Sequence, residues 1–467
     1  DHLDGGRSRS AEGCRSIGAM HQTPAQDTAG AIVEWVVTMR RLPEQRMLDQ
    51  LVARHQVHRP EMEAIADRLT SFFQRAQRNR TIDRYGTLPQ VSQLVLNNLK
   101  ECQPFVGHLF SEADRTILDT AFRQHLLLLE PTFARRLRNR RIIDGHGDLR
   151  CENICLGEPL HTPLTSQAAA PSDPTPGVAI NIFDCVEFEP AFRCGDLAND
   201  LSFLVMDLEF RKQDQLARAL VARYTQRFND NTLDVVLPFY KCHRSLVRGK
   251  VRALAWQQHP RSAAGRHAYQ LSRRHFHLAV RYARAFAPPR LIVVGGLIGT
   301  GKSTLAKALA DAFGAVWLRT DEIRLRDLAD QPASTRYTSQ MSARVYARLM
   351  QRARSRLRQG CSVVCDGTFS KAEGREALRT IAQQAQASFH FVECVASRAV
   401  ACRRMAQRRA ARTDLSEAGP EHYDLLRAGY EPIPHWPSQA WTRLSTHRTP
   451  QQTFRAALEA RRHAWTR

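Results

Sequence analysis

The stretch Leu291-Ile292-Val293-Val294-Gly295-Gly296-Leu297-Ile298-Gly299-Thr300-Gly301-Lys302-Ser303-Thr304 decides the fold of this 467-residue chain. Its apolar, β-branched start reads as a buried strand, and Lys302–Phe313 reads as the amphipathic helix that follows. Between them, Gly296 to Ser303 satisfies G-x-x-x-x-G-K-[ST] in the strand–loop–helix context this motif requires. Glycines let successive backbone N–H groups turn toward an anion, and the helix start adds the positive end of its dipole. Lys302 is expected to reach the β- and γ-phosphates of ATP, and the Ser303 hydroxyl to ligate Mg²⁺. Gly296, Gly299, Thr300, Gly301 and Thr304 complete the expected nucleotide-binding set.

Working downstream, strands alternate with helices. Strands are predicted at Leu291–Gly295, Ala315–Arg319, Ser362–Asp366 and Ser388–Val395, and helices at Lys302–Phe313, Ser339–Gln359, Ala372–Ala385 and Ala399–Ala410. This alternation predicts βαβ units and a parallel sheet. Asp321 stands just beyond the second strand, in the crevice where such sheets bind ligands. It is a candidate base for an acceptor hydroxyl, with Arg324 holding the acceptor; the plain alternative is a helix cap. Asp366, ending the third strand, is a candidate for the Mg²⁺ shell, or else a turn aspartate. Arg403, Arg404, Arg408, Arg409 and Arg412 crowd one segment. Arg404 and Arg408 share a helical face, and such like charges repel unless an anion sits between them. They read as lid arginines over ATP, or as a solvated basic helix.

Residues 290–467 resemble the small P-loop kinases related to polynucleotide kinases, zeta toxins and gluconate kinases. The likeness rests on Gly296–Ser303, on Arg319-Thr320-Asp321 with Arg324, on Asp366-Gly367-Thr368-Phe369, and on the lid arginines. It implies ATP-dependent phosphorylation of a hydroxyl, with Lys302 and Asp321 as catalytic residues.

Upstream, His146-Gly147-Asp148-Leu149-Arg150-Cys151-Glu152-Asn153 precedes a short strand, and strand Val178–Phe183 delivers Asp184. An Asp, an Asn five residues on and a second Asp can orient a hydroxyl (Asp148) and hold Mg²⁺ (Asn153, Asp184). The pattern resembles the catalytic loop of the aminoglycoside and choline phosphotransferases, within the protein-kinase-like folds. That resemblance implies that a later aspartate, Asp196 or Asp200, braces the loop. From about residue 31 onward the chain resembles a bacterial two-domain family that fuses such a domain to a P-loop ATPase/kinase domain. Val36–Leu48 matches the last strand and hinge of the amino lobe. The resemblance implies a lobe before it that carries a lysine for the phosphates, yet residues 1–35 contain no lysine. The first half is therefore expected to be impaired as a kinase.

The expected architecture is mixed: a disordered tail at 1–30, a mostly helical kinase-like carboxy lobe (α+β, amino lobe truncated) at 31–286, and an α/β P-loop domain at 290–467. Ala287-Pro288-Pro289-Arg290 marks the boundary. In the first half, helices are expected over Pro60–Gln77, Val91–Leu109, Glu112–Arg138 and, almost continuously, Asp196–Phe286, with a flexible loop at Glu158–Gly177. The chain opens on Asp rather than Met, which suggests a fragment.

A net charge of +22 favours polyanionic partners, although an arginine-rich composition alone produces it. No apolar run reaches the length of a membrane span and no signal-peptide core is present, so a cytoplasmic protein without a membrane partner is expected. The eleven scattered cysteines lack zinc or redox spacing. These features predict an ATP- and Mg²⁺-dependent phosphotransferase acting on a small hydroxylated acceptor. Two alternatives stay open: an ATP-driven regulatory protein that uses the first half for recognition, and a nucleic-acid 5′-end kinase.

Overall fold

A computed structural model of the chain describes residues 21–26, 32–38, 41–157, 179–327, 338–411, 419–433 and 435–460. It divides into two compact units, each made of two stretches: Asp1–Leu94 with Thr132–Arg248, and Val95–Pro131 with Gly249–Arg467.

The described strands of the first unit form three antiparallel pairs. β1 (His21–Gln26) pairs with β2 (Ile32–Thr38), β3 (Ile142–Asp144) with β6 (Cys194–Asp196), and β4 (Ile154–Gly157) with β5 (Ala179–Ile182). β1 lies inside the segment expected to be disordered, and so corrects that expectation for 21–26. The rest of 1–20 and 27–30, and the expected loop at 158–177, lie outside the described residues. Helices Arg59–Arg75, Leu197–Phe210 and Asp214–Phe228 pack together. On helix Glu130–Arg138 the buried Arg136 guanidinium donates to both oxygens of Asp196 at 2.6 and 2.7 Å, and to Asp230 at 2.7 Å. Removing one partner of such a buried pair is far more costly than its net contribution, because a charge is left uncompensated.

Two expected helices break for local reasons. The run 196–286 divides into Leu197–Phe210, Asp214–Phe228, Leu233–Gln258 and Ala263–Phe286. Lys212 and Asn229 take left-handed φ values of 63° and 43° at two of the breaks, conformations that end a helix. Glu112–Arg138 splits into Glu112–Leu128 and Glu130–Arg138, with Pro131 in the first turn of the second helix.

The second unit holds the predicted parallel sheet, with β7 (Arg290–Gly295), β8 (Val316–Arg319), β9 (Val363–Asp366), β10 (Ser388–Val395) and β11 (Trp441–Ser445) in the order β11-β10-β7-β9-β8. β11 and the helix Pro450–Glu459 extend the unit beyond the elements expected. Alternation along the strands supplies two core faces. Leu291, Val293, Val363, Cys365 and Phe391 pack with helices Ser339–Arg358 and Ala372–Gln384. On the other face, Ile292, Val294, Val364 and Val392 pack with helix Lys302–Phe313.

Helix Glu112–Leu128 also belongs to this unit. Leu128 joins the second core face. The Gln124 amide donates to the Phe313 carbonyl at 3.1 Å and the Ser362 hydroxyl at 2.9 Å, and accepts from Arg290 Nε at 3.0 Å. The proline pair at 288–289 therefore separates helix from strand, while the compact units divide differently. No described helix is long and apolar enough to cross a membrane.

Candidate active site

β7 lies between β9 and β10, so its carboxyl end opens at the middle of the sheet. The turn after it is too tight for side chains at two points. Gly296 has φ 132°, and an added Cβ would strike the Cys394 carbonyl. Gly299 has φ 75°, with the Ala401 carbonyl 2.5 Å from such a Cβ. The loop closes on itself: Thr300 Oγ1 donates to the Leu297 carbonyl at 2.7 Å, and Lys302 Nζ donates to the same carbonyl at 2.9 Å.

Gly299, Gly301, Lys302, Ser303, Thr304, Arg404 and Arg408 line one cavity of about 430 Å³. The structure thus brings five of the seven predicted loop residues together with Arg404 and Arg408; Gly296 and Thr300 do not line the cavity, and Arg412 lies outside the described residues. Gln407, Thr446 and Arg448 also line the cavity and escaped the sequence reading. Thr446 braces the loop: its hydroxyl donates to the Thr300 carbonyl at 2.7 Å and accepts from Arg404 at 3.1 Å, and its carbonyl accepts from Arg404 at 2.7 Å. The signal for Thr446 was its place just past β11, a strand that an edge position and mixed polarity conceal.

Lys302 is flanked by acidic groups. Burial lowers its proton affinity, while Asp366 and Asp321 act in the opposite sense. Asp366 ends β9 in register with Val294 and Arg319. Burial raises its carboxyl above the ordinary value, against the opposing pull of Lys302, of the Ser303 hydroxyl and of Arg319, whose Nε lies 3.6 Å away. Asp321 sits in the first turn of helix Thr320–Asp327, where Arg324 donates to it at 3.1 Å. The predicted base and the predicted acceptor-holder are therefore partners of each other. Tyr346 closes this side: its hydroxyl accepts from the Phe369 N–H at 3.0 Å, within electrostatic reach of Arg324, Asp321 and Asp366.

The donors fit a nucleotide and its metal. A cradle that a Cβ would fill, a helix start, a lysine and a buried carboxylate beside a hydroxyl are what a triphosphate and a hard cation need.

In the first unit, Asp200 braces the His146 loop, accepting from the N–H groups of His146 at 2.5 Å and Gly147 at 2.8 Å. Asp196 serves Arg136 instead. His146 Nε2 meets the Phe183 carbonyl at 2.8 Å, and Asp148 N–H donates to Nδ1 at 3.3 Å, which together specify an Nε2–H tautomer. Asn153 donates to the Asp148 carbonyl at 2.9 Å and to its carboxylate at 3.2 Å. Asp184 is exposed, with φ 62°, next to Phe183, whose N–H donates to the Asn153 carbonyl at 3.1 Å.

Sequence reasoning gave no weight to Arg150. Its guanidinium donates to both oxygens of Asp148, at 2.8 and 2.7 Å, and also bonds Glu152. Burial alone would raise the Asp148 carboxyl; Arg150, with Arg248 and Arg244, outweighs it and holds the carboxyl below its ordinary value.

A family described as an AAA domain matches residues 291–433, the stretch that carries the phosphate loop. Over 399 residues the chain is 31% identical to the uncharacterized protein Rv2004c of Mycobacterium tuberculosis H37Rv, covering 83% of this chain and 74% of that one. The uncharacterized protein Mb2027c of Mycobacterium bovis matches equally, at 31% identity with the same coverage. Among solved structures, a putative kinase from Chloroflexus aurantiacus J-10-fl is 24% identical and covers 37% of this chain and 93% of its own, with a TM-score of 0.31. A gluconokinase from Sinorhizobium meliloti 1021 is 20% identical, covering 37% of this chain and 91% of its own, with a TM-score of 0.30.

Proposed function

This chain belongs to the family of the mycobacterial proteins Rv2004c and Mb2027c, and from its phosphate loop we propose that it is an ATP-dependent phosphotransferase acting on a small hydroxylated acceptor. One observation carries the reading: Lys302, Ser303, Asp366 and Asp321 converge at the carboxyl end of β7, within mutual electrostatic reach.

The backbone amides of 296–303 hold the phosphates, and Lys302 leaves the Leu297 carbonyl for them. Ser303 and Asp366 hold Mg²⁺, which when bound neutralises phosphate charge. Arg324 orients the acceptor, and Asp321 takes the proton of its hydroxyl as the new O–P bond forms and the bond to ADP breaks. Arg404 and Arg408 stabilise the charge on the transferring group.

For the first unit we propose a recognition role. Asp148, Asn153 and Asp184 have the residue types of a phosphotransferase site with its metal ligands, but the hold of Arg150 on Asp148 occupies the carboxylate that would act as base.

An acceptor screen with labelled ATP on the full chain tests the main reading. Label transfer to a hydroxylated metabolite, absent in Lys302→Ala, is the expected result. ATP hydrolysis with no labelled product from any acceptor would leave a nucleotide switch in its place.

A further inference from the structure

The turn that follows β9, Gly367-Thr368-Phe369, carries a backbone its sequence does not favour. Phe369 has φ 47°, in the left-handed region where a bulky residue is strained. Two contacts hold it there. Its ring is buried in the core face under helix Ser339–Arg358, 5.3 Å from the ring of Tyr346 on that helix. Its N–H donates to the Tyr346 hydroxyl at 3.0 Å. A glycine would take this φ without strain, but would leave a hole in the core.

The strained residue shares a peptide bond with an atom that matters to the phosphate loop. The Thr368 carbonyl and the Phe369 N–H belong to one planar unit and point in opposite directions. The N–H end is fixed by Tyr346. The carbonyl end accepts from the Gly296 N–H at 3.2 Å. Gly296 opens the phosphate loop at φ 132°, a conformation open to glycine and costly for other residues. One residue back, the Gly367 N–H donates to the Val294 carbonyl at 3.3 Å, so the turn grips the end of β7 on both sides of Gly295. It has little slack: a Cβ on Gly367 would lie 2.8 Å from the side chain of Thr320, itself buried.

We propose that Tyr346 is a positioning residue for the phosphate loop. Its hydroxyl holds one end of the 368–369 peptide, and the other end holds Gly296 in the conformation from which the loop begins. Tyr346 acts through the turn, not by touching the nucleotide. The consequence for nucleotide affinity rests on the reading of that loop as the ATP site. Tyr346→Phe keeps the ring and its packing. It removes only the hydroxyl, which leaves the Phe369 N–H without its acceptor and lets the strained peptide rotate away from Gly296.

Hydrogen exchange at the Gly296 amide of the full chain tests this first. Tyr346→Phe is expected to quicken that exchange by about tenfold, the scale of one lost hydrogen bond, with the β9 amides unchanged. Calorimetric titration with Mg²⁺ and the non-hydrolysable analogue AMPPNP is the second readout. Tyr346→Phe is expected to weaken binding by about threefold to tenfold, again the scale of one hydrogen bond. In a Phe369→Gly background, where the turn is unstrained, the same substitution is expected to change affinity by no more than about twofold. The proposal is overturned if the Gly296 amide exchanges in Tyr346→Phe as it does in wild type. It is equally overturned if Tyr346→Phe lowers only the melting temperature, or weakens AMPPNP by the same factor in both backgrounds. Should Phe369→Gly not fold, the exchange measurement on the single variant decides by itself. Wild type that fails to bind AMPPNP would overturn the nucleotide reading, while the exchange at Gly296 would still judge the hold of Tyr346 on the loop.

Discussion

The two units treat their acidic residues in opposite ways. Asp148 receives both arms of Arg150 at 2.7 and 2.8 Å, and its charge is closed internally. Asp366 is 4% exposed, and Arg319 approaches it only to 3.6 Å. Arg150 therefore stabilises the Asp148 carboxylate, while burial destabilises that of Asp366. A carboxylate already matched by a cation has little left to offer a ligand. One held short of a full partner keeps an unspent attraction for a cation. On the proposed reading, this contrast favours the second unit as the site of phosphoryl transfer.

The strongest way to break the contrast is Lys302→Ala. ATP turnover is expected to fall by at least about 100-fold, because the phosphates lose their cation in a partly buried site. Unchanged turnover would remove the second unit from consideration as the active one. Asp321→Asn comes next: phosphoryl transfer should drop by roughly 10²–10⁴-fold with ATP affinity retained. If the variant shows only a lower melting temperature, Asp321 is a helix-start residue paired with Arg324 and nothing more.

A third test reads the stored charge of Asp366 directly. Its carboxyl is raised above 3.8 by burial, so the folded protein holds this proton more tightly than the unfolded chain. That contribution to stability is present at low pH and is lost as pH rises through the folded-state value. Asp366→Asn removes the loss, so the metal-free variant should melt higher than wild type at neutral pH, by about 2–4 °C for each kcal/mol recovered. The difference should vanish in acid. A variant that melts lower at every pH would show that Asp366 is a structural partner of Lys302 and Arg319. The smallest effect is expected for Asp148→Asn, with ATP turnover within about twofold of wild type, the scale of a substitution away from the working site. A loss of tenfold or more would show that Arg150 yields Asp148 to substrate and that the first unit is active.

The legible parts of this molecule are those whose signal is local. The phosphate loop was readable because strand, glycine spacing, lysine and helix are contiguous and each residue type has its own physical reason. The central strands were readable because a strand buried on both faces is apolar throughout, as Leu291–Val294 is. Thr446 was not readable, since its bonds to Thr300 and Arg404 join residues more than forty positions apart. Arg150 lay in plain sight two residues from Asp148, but a charged neighbour in a loop carries no sequence sign of whether it clamps or faces water. The membership of helix Glu112–Leu128 was hidden for a similar reason. Amphipathic spacing says that a face will be buried, not which sheet will bury it.

That helix also sets an order of assembly. During synthesis it leaves the ribosome well ahead of β7 and β9, the strands on which Gln124 and Leu128 close. At about 5–20 residues per second, roughly ten to forty seconds separate the helix from the sheet it packs on. A chain cut at residue 287 would lack this helix, which belongs to the second unit, although the sheet it packs on is made long after it.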